Sequence, residues 1–178
     1  MSLTKQAKVL SEVQIKTTLS HISTTRLATR NTALMLLSVD AGLRAKEIAS
    51  VTWEMVTDAE GNLTDTIRLL NKASKGNSGG VVYMSKRLLD ALSSLKRTIK
   101  EPKGNIIINA RTRSPLSAQA VVNLFFTLYR DLGFDGCSSH SGRRTAITKW
   151  ARKISSVGGS LRDVQSLARH SSLAMTQK

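Results

Sequence analysis

Acidic residues, cysteine, proline and aromatic side chains are all scarce in this chain, and each shortage excludes something. Cys137 is the only cysteine, so no internal disulfide can form, which suits a reducing cytoplasm. No cysteine–histidine cluster has zinc spacing and no P-loop occurs, so neither metal nor nucleotide cofactor is indicated. The longest apolar runs, Ala33 to Leu37 and the interrupted Val121 to Phe126, are the size of core helices and too short to span a bilayer. Met1 to Lys5 carries no hydrophobic signal region. Aromatics make up 4% of the residues, which argues against a platform for stacking single-stranded bases.

What the chain does have is positive charge. Against 12 acidic residues stand 27 lysines and arginines, a net +15 over 178 residues. That length is one ordinary domain, able to bury roughly 70% of its unfolded surface. A domain this basic is suited to a polyanion, and nucleic acid is the leading partner because counterion release drives its binding. Charge alone would equally fit a ribosomal protein or an anionic membrane surface. From Ser138 onward eight basic residues face Asp163 alone, and with aromatics so few, duplex DNA fits better than single strands.

The apolar periodicity is mostly helical. Ser11 caps a helix running to about Ile22, Arg26 to Ala41 forms a more buried one ended by Gly42, and a short helix covers Ala45 to Val51. Trp53–Val56, Thr66–Leu70 and Gly80–Met84 read as three short strands separated by turn-forming segments. Leu88, Leu89, Leu92 and Leu95 then share a helix face, Ser117 caps a helix to about Leu132, and helices follow at Gly142–Ile154, Leu161–Arg169 and from about Ser172. The expected fold is α+β, mostly helical, with a small three-stranded antiparallel sheet, and residues 1–178 form one domain.

Three segments carry a resemblance. Ala41-Gly42-Leu43-Arg44-Ala45-Lys46-Glu47-Ile48 sets an arginine after Gly-Leu and three before a glutamate; His140-Ser141-Gly142-Arg143 is a His-x-x-Arg pair; Asp163 to Ser172 ends on His170. In that order they resemble the boxes of the tyrosine recombinases, the phage integrase family, and specifically their C-terminal catalytic domain with its DNA breaking-rejoining fold. The likeness covers about Lys8 to Lys178. One departure stands out: Ala168-Arg169 precedes His170 where family members usually have Leu-Gly.

The resemblance implies site-specific DNA recombination or integration through a 3′-phosphotyrosyl intermediate, with no cofactor and no metal. Arg44 and Arg143 would stabilise the charge that builds on the attacked phosphate, a task for planar, permanently charged guanidinium groups. His170 would be a third donor, and His140 a proton acceptor or an organiser of the pocket. A hairpin lysine would protonate the leaving 5′ oxygen, either Lys75 or Lys72 three residues earlier. Arg144, Lys149, Arg152 and Lys153 stand where they could follow a DNA backbone. Singly, each of these residues also reads as an ordinary surface cation or cap; their conjunction carries the resemblance.

In the family the nucleophilic tyrosine follows the third-box histidine by about nine positions, and nine past His170 is one past Lys178. Tyr83 and Tyr129 both precede that box. The chain is therefore expected to be a catalytic domain truncated before its nucleophile, inactive alone, and without the family's N-terminal core-binding domain. Family likeness also implies a homotetramer on double-stranded DNA in the full-length protein, in the cytoplasm and away from membranes. The alternatives are a type IB topoisomerase-like enzyme and a non-catalytic DNA-binding remnant of a mobile element.

Overall fold

Serine residues cap the starts of four helices. The computed structural model describes residues 6–71 and 79–177. Helix α1 spans Glu12–Ser23, with the Ser11 hydroxyl accepting from the Gln14 N–H and the Gln14 side chain returning a bond to the Ser11 N–H, a reciprocal cap of both orphan donors. Ser85 and Ser117 do the same half of this work for α4 (Lys86–Arg97) and α5 (Ala118–Asp131). At α7 (Leu161–Ala168) the roles reverse, and the Asp163 carboxylate accepts from the Ser160 N–H at 2.7 Å.

Helix α2 (Ala28–Val39) is the centre of the molecule. Every residue from Ala33 to Val39 is buried, because α1, α4 and α6 (Ser141–Ile154) pack around it. Helix α3 (Ala45–Ser50) lies against α5, and α7 joins α6 to the short α8 (Leu173–Gln177). Most buried apolar side chains form one cluster drawn from residues between Leu10 and Tyr129. Among the described residues no helix is long and apolar enough to cross a membrane.

The sheet is smaller than the sequence suggests. Among the described residues two strands, β1 (Thr66–Leu69) and β2 (Gly80–Tyr83), pair antiparallel with Ile67 opposite Val82. The expected first strand is instead a single 3₁₀ turn at Trp53–Met55. Its apolar residues do not alternate: Trp53, Met55 and Val56 are all buried. The backbone there bonds elsewhere too, since the Trp53 N–H donates to the Gly104 carbonyl at 2.9 Å and the Glu54 carboxylate accepts from the Gly104 N–H at 3.0 Å. Only an isolated bridge between Thr57 and Leu63 leads into β1.

Helix α6 sits hard against α2 at its first turn. A Cβ placed on Gly142 would stand 2.1 Å from the Ser38 hydroxyl oxygen and 2.8 Å from its Cβ, closer than atoms can approach. Gly142→Ala should therefore force α6 away from α2 and destabilise the protein by about 1–3 kcal/mol, the scale for overpacking. Urea unfolding should show the midpoint falling with the slope unchanged.

Candidate active site

One fully buried carboxylate organises the first box. The chain leaves α2 through Gly42, whose φ of +63° is a left-handed conformation that costs glycine nothing. A side chain there would in any case meet the Trp150 ring at 2.7 Å. Arg44 follows as the N-cap of α3, and Glu47 at the third helical position turns back toward it. Glu47 Oε2 accepts from the Arg44 N–H at 2.8 Å, and Oε1 from Arg44 Nη1 at 3.0 Å. Oε2 also accepts from Arg169 Nη2 at 2.9 Å. Burial pushes the Glu47 carboxyl up, but the Arg169 charge and the bonds from Arg44 and Arg169 outweigh it and leave it below the ordinary carboxylate value.

The second box lies at the start of α6. Arg143 is buried, 6% exposed, and its guanidinium donates through Nη1 to the Gly42 carbonyl and through Nη2 to the Ala168 carbonyl. One side chain thus ties the first box to the third. Burial, and next the charge of nearby Arg44, lower its pKa to about 9, so it stays a cation at neutral pH. His140, the N-cap of the same helix, is exposed.

The third box ends α7. Arg169 adopts φ 52° and ψ 46° to close the helix, a left-handed conformation unusual for a residue with a Cβ. His170 follows, held by its N–H on the Gln165 carbonyl at 3.0 Å and by its own carbonyl accepting from the Gln165 amide at 3.1 Å. Its Nδ1 is 3.0 Å from the Thr176 hydroxyl in α8. Burial first, then the charges of Arg143, Arg44 and Arg169, push the imidazole pKa down to about 4, so it is neutral at pH 7. If Nδ1 accepts from Thr176, the ring proton stands on Nε2 and is available to a ligand.

His140, Arg143 and His170 line one open cleft of about 840 Å³, together with Arg144, Arg152 and Thr176. Arg44 does not line that cleft but is coupled to it through the electrostatic field felt by Arg143 and His170. The hairpin lysines Lys72 and Lys75 lie outside the described residues. Of the four candidate DNA-contact residues, Arg144 and Arg152 face the cleft, and Arg144 also donates to the Ala7 carbonyl at 3.0 Å. Lys149 pairs with Glu12 at 2.6 Å, and Lys153 is exposed. Tyr129 is a core residue, stacked on Phe125 with its hydroxyl toward the Met35 sulfur; burial raises its pKa. Tyr83 is exposed on β2.

Sequence reasoning assigned no role to Glu47, Arg169 or Thr176. The spacing of Glu47 three after Arg44 was the available signal for the first. Arg169 was visible only as a departure from the usual Leu-Gly, and its tie to Glu47 spans 122 positions.

Residues 8–178 match the Phage integrase family. The chain belongs to that family. Solved structures give the same fold: an integrase of transposon Tn1549 in complex with a circular intermediate DNA has a TM-score of 0.74 at 17% identity, over 98% of this chain and 61% of that one. XerA recombinase has a TM-score of 0.73 at 21% identity, over 99% and 60%. A lambda integrase dimer bound to a COC′ core site has a TM-score of 0.68 at 18% identity, over 97% and 59%. This integrase-family chain therefore spans about three fifths of those structures. No curated protein sequence matches it.

The His170 imidazole should titrate with a midpoint of about 4 in a histidine-selective NMR titration. The sign of the linked stability change follows. An unfolded histidine takes its proton near 6.5 and the native one near 4, so between those values the unfolded chain binds more protons and native stability falls as pH drops. His170→Gln should flatten that slope in urea unfolding measured across the same range.

Proposed function

We propose that residues 1–178 form the phosphate-activating part of a site-specific DNA recombinase, one domain that works on double-stranded DNA in the cytoplasm. The observation carrying this reading is that Arg44, Arg143 and His170, drawn from three distant boxes, lie within one another's electrostatic field, with Arg143 tying the first box to the third. A scissile phosphate gains negative charge as it is attacked, and fixed donors, two of them guanidinium cations, stabilise that charge more than the ground state.

In this reading a tyrosine from outside these 178 residues attacks the phosphorus. A P–O bond to the tyrosine forms, the P–O5′ bond breaks, and the phosphate remains on the 3′ strand. The 5′ oxygen leaves with a proton from Lys75 or, failing that, Lys72. His140 accepts the tyrosine's proton or organises the cleft for its transfer. The 5′ hydroxyl of the partner strand then reverses the sequence, regenerating the tyrosine, so the bond energy is conserved and neither ATP nor a metal takes part. Arg144 and Arg152 on the cleft wall, with Lys149 and Lys153 farther along α6, hold the flanking backbone. The active assembly is a homotetramer on two duplexes. The Tn1549 and lambda integrase structures hold DNA, which supports a DNA substrate for the shared fold.

Duplex binding by residues 1–178 should weaken roughly 10³-fold between 50 and 200 mM salt if about six phosphates are contacted; fluorescence anisotropy reads this, and a flat response would remove DNA as the partner. A suicide duplex should give no SDS-resistant adduct with residues 1–178 alone. Where the tyrosine-bearing segment follows them, an adduct should form, and Arg143→Ala should suppress it by about 10²–10³-fold, the scale for losing one transition-state donor. Relaxation of a plasmid that lacks a recombination site would instead point to topoisomerase chemistry.

A further inference from the structure

Arg169 imposes two costs on the fold. It holds a left-handed backbone conformation at φ 52°, where glycine would be unstrained. Its side chain is also buried, 7% exposed, with Nε and Nη1 lacking a hydrogen-bond partner among the described residues, which is expensive for a charged group. A residue needed only to end α7 would be better served by glycine. What the arginine obtains in return is a single contact, Nη2 to Glu47 Oε2.

That contact decides how Glu47 meets Arg44. Glu47 has two oxygens and three donors to serve. Arg169 Nη2 and the Arg44 backbone N–H occupy Oε2, so the Arg44 guanidinium bonds only to Oε1, through Nη1. A guanidinium and a carboxylate left to themselves favour the two-bond fork, in which Arg44 would turn more of its donors toward Glu47. The Arg169 stem also runs beside the start of β2, where a Cβ on Gly80 would lie 3.6 Å from its Cδ.

We propose that Arg169 is a positioning residue: by occupying Glu47 Oε2 it keeps Arg44 singly bonded, with its remaining donors free for the DNA phosphate. This rests on the recombinase reading of the cleft. The test uses the full-length recombinase, with its tyrosine, on a suicide duplex under single-turnover conditions. Arg169→Gly should slow cleavage by about tenfold to a hundredfold, the scale for a misplaced reacting group. DNA affinity should change by less than about threefold and the melting temperature should hold or rise, since glycine suits the left-handed position. Arg169→Lys, which keeps a cation for Glu47, should recover most of the rate. In a Glu47→Gln background Arg169→Gly should add little, the mark of two residues acting through one contact.

Unchanged cleavage in Arg169→Gly overturns the proposal, as does a loss that comes with a lowered melting temperature and no rescue by lysine. Arg44→Ala serves as the control. If it cleaves normally, the cleft reading fails and this proposal falls with it; if it is dead while Arg169→Gly is normal, only the role of Arg169 is refuted.

Discussion

The guanidinium of Arg143 is the hub on which the rest of the site depends. It is buried between the turn that follows α2 and the end of α7, and it satisfies a carbonyl from each. Those two carbonyls belong to residues 126 apart in the chain, Gly42 and Ala168. Without this cation, two backbone oxygens would lose their donor and the first and third boxes would lose their common anchor. The tight seat of Gly142 on Ser38 fixes where α6 begins and so where Arg143 stands. Backbone packing, not side-chain freedom, thus determines the placement of this cation.

Charge explains how so many cations can share the site. Glu47 offsets part of the positive charge by pairing with Arg44 and Arg169, while Arg143 is stabilised by carbonyl dipoles instead. Burial first, and then the nearby arginine charges, favour the neutral form of His170, which spares the cleft a further cation. Its link to Thr176 carries that response into α8.

Much of this was legible in the sequence, and the exceptions share a cause. Ser11 and Ser117 mark helix starts because capping is a local matter, decided within four residues. Arg44, His140, Arg143 and His170 could be picked out because each sits in a short box. The third strand failed because the fate of Trp53 is decided by Gly104, about fifty positions away, which no window around Trp53 contains. The same holds for Lys149, whose ion pair with Glu12 joins residues 137 positions apart. Glu47 and Arg169 were visible as residues, but their pairing is a property of the folded chain.

Three guanidinium groups, of Arg44, Arg143 and Arg169, stand near one carboxylate, that of Glu47. Burial first, and then the charges of Arg44 and Arg169, lower the pKa of Arg143, so an anion bound beside it would relieve part of that cost. Binding and folding are then reciprocal: whatever free energy a phosphate gains from finding these cations preassembled, the native state gains back in resistance to unfolding. For this fold an anion seated among these cations would act as a structural element as much as a ligand.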